Sequence, residues 1–216
     1  MNRLTKLANK FGTDKGTKYQ YRHSFTEFYE PYFRKYDKPT ILELGTGTGA
    51  SAKMLNAYYD GDCEIYTVDI SDVSNVFTEY DNIHTYIADL GDEYIVQELI
   101  NGFNGLKFDI IIDDASHQFN DQYLSLIYFR HCLKDGGIFV MEDLHTSYCA
   151  TEFTYSPLAF LVNLRRNGYF ANEDEYNDFV DSIDDIIIYN HRNDDENIKY
   201  NFRSRSVTSI ITFLNN

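Results

Sequence analysis

Five short runs between Thr40 and Met141 carry the signature of strands buried on both faces: Thr40–Leu44, Glu64–Asp69, His84–Ala88, Phe108–Ile112 and Ile138–Met141. The fourth, Phe108-Asp-Ile-Ile-Ile, places apolar residues on both sides of an extended chain. Helical connections at Ala50–Tyr59, Glu93–Asn101 and Asp121–Leu133 separate them. Strand–helix alternation with strands of this kind implies a parallel sheet covered by helices on both faces. Two later strands, Ile186–Tyr189 and Val207–Phe213, flank the polar stretch Asn190–Asn201. That spacing predicts a hairpin and an antiparallel last strand. The expectation is an α/β fold with a seven-stranded, mostly parallel sheet.

The 216 residues suit one domain with a full core, and no repeat or low-complexity linker divides them. Only three prolines occur, so none marks a boundary. Lys+Arg 19 against Asp+Glu 34 gives a net charge of −15, which argues against nucleic acid and anionic membranes as partners. The charge is uneven. Residues 1–40 carry nine Lys/Arg and four Asp/Glu (net +5), leaving 10 − 30 = −20 for residues 41–216. A basic N-terminal segment is therefore expected to lie against an acidic body, or to help hold an anionic ligand. Three cysteines without metal-ligand spacing, and no apolar run of ~18 residues, point to a soluble protein of the reducing cytoplasm.

Before the first strand, Phe11-Gly-Thr-Asp-Lys-Gly16 reads as a tight loop. The aromatic stretch Phe25–Phe33 reads as a helix ending or kinking near Pro31. Further helices are expected at Leu158–Arg166 and Tyr176–Ile183.

The first strand runs into Leu42-Glu-Leu-Gly-Thr-Gly-Thr-Gly-Ala-Ser51. Gly45, Gly47 and Gly49 let the backbone turn tightly and approach a ligand before a helix begins. Asp69, about 20 residues on, stands where a carboxylate takes ribose hydroxyls. The loop by itself suits a dinucleotide or S-adenosyl-L-methionine. Glu43 and Asp89 favour the latter, which has no pyrophosphate to repel them.

Two strand ends then present carboxylates: Asp113-Asp-Ala-Ser-His117 and Glu142-Asp143. Parallel strands would bring both to one sheet edge, where acidic groups tolerate each other only if protons or a hard cation neutralise them. Asp114, Glu142 and Asp143 are candidate ligands, with Asp114 ranked above Asp113 because adjacent strand residues face opposite ways. His117 is the candidate base, able to take a proton from a hydroxyl whose pKa the metal lowers. The bland alternative has Asp113 and Asp143 capping the helices that follow. His145 is a second base or substrate contact. His23, His84, His131 and His191 have no sequence companions and read as structural.

These segments, in this order, resemble the macrocin/mycinamicin-type sugar O-methyltransferases, a metal-dependent branch of the class I S-adenosylmethionine enzymes. The resemblance rests on Phe11-Gly-Thr-Asp-Lys-Gly16, Ile41-Leu-Glu-Leu-Gly-Thr-Gly-Thr-Gly49, Asp113-Asp-Ala-Ser-His117 and Glu142-Asp-Leu-His-Thr-Ser-Tyr148. It covers most of residues 8–150 and resumes at Ser206–Phe213. It implies a Rossmann-like class I methyltransferase fold, and Mg²⁺ (or Mn²⁺) on Asp114, Glu142 and Asp143 with His117 as base. S-adenosyl-L-methionine would lie against Glu43, Gly45, Thr46, Gly47, Gly49, Ser51, Asp69, Ile70, Asp89, Leu90 and Asp113. Asp14, Lys15, His145 and Tyr148 are the candidate acceptor contacts. The layout would be one methyltransferase domain over residues 1–216: an N-terminal cap to about residue 37, then a core with an acceptor-facing insertion at about 147–184. Two positions depart from the family pattern. Ala115 stands where Gly is usual, and Cys149 where an aromatic often follows, so the acceptor pocket is expected to differ.

The implied activity is Mg²⁺-dependent methyl transfer to a hydroxyl of a small, sugar-containing acceptor, in a monomer or homo-oligomer. An NAD-dependent oxidoreductase explains the glycine loop but leaves the carboxylates unused. A non-catalytic methyltransferase-like subunit is the alternative outside enzymes.

Overall fold

The computed structural model describes residues 1–18, 22–149, 156–167, 181–192 and 205–214. Seven strands form one sheet: β1 (Thr40–Leu44), β2 (Glu64–Asp69), β3 (Ile83–Ile87), β4 (Phe108–Asp113), β5 (Leu133–Met141), β6 (Ile183–Arg192) and β7 (Arg205–Phe213). Their order is β3-β2-β1-β4-β5-β7-β6. The first five pair in parallel, and β7 runs antiparallel between β5 and β6. The expected α/β sheet with its antiparallel last strand is therefore present. The strands at β5 and β6 begin earlier than their apolar runs, because polar residues such as Asp135 and Asp184 extend the backbone at the sheet's rim.

Helices cover both faces, and the pleat sorts the side chains between them. Ile41, Ile110, Ile138 and Ile210 join one apolar cluster, while Leu42, Ile111, Phe139 and Ile211 join the other. On the first face lie α1 (Arg3–Phe11), α2 (Thr26–Phe33) and α3 (Ala50–Tyr58), through Leu4, Ala8, Ala52 and Leu55. On the second lie α4 (Glu93–Gly102), α5 (Phe119–Phe129) and α6 (Pro157–Asn167), through Val96, Leu126 and Leu161.

Local chemistry sets the helix ends. Asn2 accepts a hydrogen bond from Thr5 N at 2.8 Å to start α1, and Gly12 at φ +78° ends it. Asp92 caps α4 through Tyr94 N and Ile95 N. In α2 the spacing of Phe25, Tyr29 and Phe33 makes one buried stripe at the helical period. Each such ring contributes roughly 1.5–3 kcal/mol by burial, enough to dock the short helix. The helix continues two residues past Pro31.

The basic N-terminal segment does lie against the acidic body. Arg3 pairs with Asp60 at 2.5 Å and Lys38 with Asp62 at 2.6 Å, both exposed, while Lys15 is buried among carboxylates. The helix expected at Tyr176–Ile183 falls mostly outside the described residues, as does much of the insertion at 147–184; Ile183 itself opens β6. Among the described residues no helix is long and apolar enough to cross a membrane.

Candidate active site

The strand order reverses between β1 and β4, the position where open α/β sheets form a crevice at their carboxyl ends. The backbone ladder locks these ends side by side. Gly45 N donates to Val68 O at 2.8 Å, Asp114 N to Leu44 O at 2.8 Å and Glu142 N to Asp113 O at 2.9 Å. A single cleft of about 500 Å³ opens above them. The glycine loop, Asp69, Ile70, Asp89 and Leu90 line one part; Asp14, Asp114, His117 and Asp143 line another.

The loop's geometry follows from its glycines. Gly45 has φ +90°, and a Cβ there would sit 2.2 Å from the Asp114 carbonyl oxygen, so only glycine lets the two strand ends meet. Gly49, at φ +74°, opens α3. Asp69 Oδ2 accepts from Thr46 N at 3.1 Å and Gly47 N at 3.0 Å, and Oδ1 accepts from Ser71 N at 3.0 Å. The carboxylate thus pins the glycine loop to the end of β2. Thr46 Oγ1 is buried beside the cleft without a partner.

Lys15 stands at the centre of the carboxylates. It is 1% exposed, and its Nζ donates to Asp114 Oδ2 and, at 2.6 Å, to Glu142 Oε2. Burial alone would depress its pKa, yet Asp114 and Glu142 hold the ammonium well above its usual value. Burial pushes Glu142 well up, and Asp114 up, with Lys15 opposing in each case. Counted as ionised, Asp114, Glu142, Asp143 and the Lys15 ammonium give a formal charge of −3 + 1 = −2. Glu142 Oε1 and Asp143 Oδ1 are buried without partners, each orphan costing roughly 1–3 kcal/mol unless something meets it.

Asp143 connects the imidazoles. Its Oδ2 is 3.3 Å from His117 Nε2, and its Oδ1 is 3.5 Å from His145 Nδ1 and 3.7 Å from His23 Nε2. Asp143, His117 and Ser116 all have positive φ (53°, 57° and 31°), a backbone cost that turns these side chains off the strand axis. Among the described residues, two groups have ligand atoms all within 4.8 Å of one another: Asp114–His117–Asp143 and His23–Asp143–His145. Glu142 belongs to neither and instead holds Lys15. Burial keeps the His145 pKa below its usual value, and so its ring neutral.

Several expected positions lie elsewhere. Asp113 is 2% exposed and turned inward, accepting from Ser125 Oγ and from Ala115 N at 3.3 Å, and burial raises its pKa to about 7. It supports the loop and does not line the cleft. Asp113 does not cap α5, where Gln118 stands at the start; Asp143 directly precedes a short 3-10 helix, Leu144–Cys149, and its backbone carbonyl accepts from Thr146 N at 3.0 Å while its Oδ1 has no partner. Glu43 is fully buried behind the loop, its pKa raised by burial to about 7. Tyr148 lines a separate cavity with Arg165 and Arg166 and accepts from Asn190 Nδ2 at 3.1 Å. His23 has a companion after all, because the fold delivers Asp143 and His145 to it. Asp121, unremarked in the sequence, lines the cleft and accepts from Ser116 Oγ. No sequence signal marks either residue: the partners of His23 are remote in the chain, and Asp121 reads as an ordinary acidic residue in the first turn of α5.

No family model matches the chain. Against curated proteins it is 32% identical over 154 residues to the 8-demethyl-8-alpha-L-rhamnosyl tetracenomycin-C 2'-O-methyltransferase of Streptomyces olivaceus. It is 32% identical over 156 residues to the demethylmacrocin O-methyltransferase of Streptomyces fradiae. Its homologues are sugar O-methyltransferases. The matches cover 67% of this chain but only 38% and 37% of those relatives, so the chain spans well under half of their length. Among solved structures, MycE, a methyltransferase of the mycinamycin biosynthetic pathway in complex with Mg and SAH, superposes with TM-score 0.74 at 23% identity. That match covers 99% of this chain and 55% of MycE. An O-methyltransferase from Bacillus cereus superposes with TM-score 0.60 at 10% identity, over 97% of this chain. The fold is therefore that of the class I methyltransferases.

Proposed function

We propose that this chain transfers the methyl group of S-adenosyl-L-methionine to a hydroxyl of a sugar-containing small molecule, assisted by Mg²⁺ or Mn²⁺. The observation that carries this reading is the single cleft shared by the glycine loop and the Asp114–His117–Asp143 group. A dinucleotide-dependent oxidoreductase would leave that second group without a task. The curated relatives, all named O-methyltransferases, point the same way.

The residues fit both ligands. Gly45, Gly47, Thr46 and Ser51 offer backbone and hydroxyl groups to the methionine part, Asp69 and Ile70 lie toward the ribose, and Asp89 and Leu90 toward the adenine. When bound, this cofactor supplies an electrophilic methyl group on a sulfonium. Asp114 and Asp143 offer oxygens to a hard cation, with Glu142 Oε1 as a buried reserve, and the site's −2 charge matches a dication. When bound, the ion lowers the pKa of an adjacent hydroxyl. His117, whose Nε2 stands 3.3 Å from Asp143 Oδ2, is the base that takes the acceptor proton. Asp143 orients that ring. Lys15 holds Asp114 and Glu142 in place and does not itself touch the acceptor. Most of the rate then comes from alignment of hydroxyl and methyl group.

The acceptor is small and carries a sugar; nucleic acid and membrane surfaces do not suit a chain of net charge −15. The compartment is the cytoplasm, in keeping with the free buried thiols of Cys63 and Cys132. The test is a screen of glycosylated acceptors with S-adenosyl-L-methionine and Mg²⁺, read by mass spectrometry for a methylated product. Turnover that depends on both is expected. Thermal stabilisation by NAD and not by S-adenosyl-L-methionine would overturn the reading.

A further inference from the structure

Asp143 presents its two oxygens to two different groups, and the second group is unlike the first. The Oδ1 side faces two imidazoles, His145 Nδ1 at 3.5 Å and His23 Nε2 at 3.7 Å. These separations exceed the ordinary range of hydrogen bonds. Both Asp143 Oδ1 and His145 Nδ1 are buried without a partner, on side chains only 8% exposed as residues. Three ligand atoms thus converge on a space that none of them closes.

The spacing itself is informative. Nitrogen and oxygen ligands about 2.0–2.2 Å from a tetrahedral ion stand roughly 3.3–3.6 Å from each other. The 3.5 Å separation of Asp143 Oδ1 from His145 Nδ1 falls within that range and the 3.7 Å separation from His23 Nε2 lies just beyond it. The rings are also held for the purpose. His23 Nδ1 pairs with Ser206 Oγ at 2.9 Å, which leaves Nε2 to face the space, and the ring stacks on Phe25 with centroids 5.0 Å apart. A ligating His held through its other nitrogen is the usual arrangement around a metal. Asp14 Oδ2 lies 3.9 Å from His23 Nε2 at the cleft side.

We propose that His23, Asp143 and His145 form a second cation site, selective for a borderline transition-metal dication such as Zn²⁺ or Co²⁺. Two imidazoles and a carboxylate are a poor set for Mg²⁺, which prefers oxygen, and a good one for Zn²⁺ and Co²⁺. The proposal goes beyond the methyl-transfer reading, because the Asp114 side of the same carboxylate serves a hard cation there. Asp143 would bridge the two positions. An ion at one therefore bears on the affinity of the other.

The experiment uses the full chain, stripped with a chelator and titrated with Co²⁺, with visible absorption as the readout and Zn²⁺ as competitor. One equivalent of Co²⁺ should give the visible bands of a low-coordinate nitrogen/oxygen site, displaced by Zn²⁺ and not displaced by excess Mg²⁺. His23→Gln and His145→Gln should each remove the bands, and Ser206→Ala should weaken Co²⁺ binding by about tenfold or more. Asp114→Asn should keep them. Bands that survive both His variants, or that vanish with Asp114→Asn, would overturn the proposal. If a His variant fails to fold, X-ray absorption of the Zn²⁺-loaded wild-type protein decides by counting imidazoles. Two support the site, whereas one or none overturns it, since the Asp114 side offers His117 alone. No methyl transfer enters these readouts, so a failure of the methyltransferase reading would be seen separately.

Discussion

Lys15 Nζ lies 2.6 Å from Glu142 Oε2, both side chains are at least 98% buried, and 127 residues separate them in the chain. This pair ties the loop after α1 to the end of β5 and neutralises part of a cluster that would otherwise repel itself. Removing one partner of a buried ion pair leaves the other charge stranded, at a cost of about 3–5 kcal/mol. Lys15→Met should therefore destabilise the protein by about that amount in urea unfolding at neutral pH. The double variant Lys15→Met/Glu142→Gln should recover part of the loss, because it removes the stranded charge. A Lys15→Met protein as stable as wild type would show that the ammonium is not needed to hold the cluster.

Gly45 and Gly47 both have positive φ, but only one has a neighbour in the way. A Cβ at Gly45 meets the Asp114 carbonyl oxygen at 2.2 Å, which is backbone and cannot step aside. At Gly47 no atom lies within 4 Å of the added Cβ. Gly47→Ala should cost about 1–2 kcal/mol, the left-handed backbone alone. Gly45→Ala should cost clearly more and should also displace Asp114. Chemical denaturation of the two variants side by side checks this, and equal losses would mean that the strand ends separate freely.

The sheet was legible because its signal is repeated and local: apolar strands, helical spacers, glycines at a strand end. The hairpin of β6 and β7 was legible from the polar stretch between two apolar runs. The site was legible only where its residues adjoin one another, as in Asp114 with His117 and Glu142 with Asp143. Asp113 illustrates the limit: the family resemblance implied a cofactor contact there, whereas the alternation of the strand turns it inward to Ser125. Lys15, read as an acceptor contact, and His23, read as structural, show a different limit. Their partners are more than 90 residues away, and no local pattern encodes which buried carboxylate a loop lysine will meet.

Glu43 gives the pH dependence a defined sign. Burial raises its folded-state pKa to about 7, above the ordinary carboxylate value, with Lys15 and Ser51 opposing. A raised folded pKa means that the native state binds the proton more tightly than the unfolded chain. The resulting stability is fully present below the unfolded pKa of about 4.3 and is lost as pH rises through about 7. Glu43→Gln should remove this contribution, flattening the fall in stability between about pH 5 and 8 and raising the melting temperature at the alkaline end. Calorimetry across that range checks it. An unchanged slope would mean that Lys15, close enough to favour the charged carboxylate, already holds Glu43 ionised.

His117 is the last test, and it separates chemistry from binding. Its Nε2 is 3.3 Å from Asp143 Oδ2, while the glycine loop and Asp69 occupy the other part of the cleft. If His117 takes the acceptor proton, His117→Ala should lower kcat by about 10²–10⁴-fold, the usual worth of a positioned base. The affinity for S-adenosyl-L-methionine, measured by calorimetry, should stay within about twofold, because a difference that small is only a fraction of one hydrogen bond. Chelation of divalent ions should likewise abolish turnover with wild-type protein and leave cofactor affinity in place. Asp143→Asn should combine both defects, since it removes a charge that serves the ion and the contact that orients the ring. A His117→Ala protein with full activity would assign the proton to another acceptor, and His145, 3.5 Å from the same carboxylate, is the next imidazole in reach.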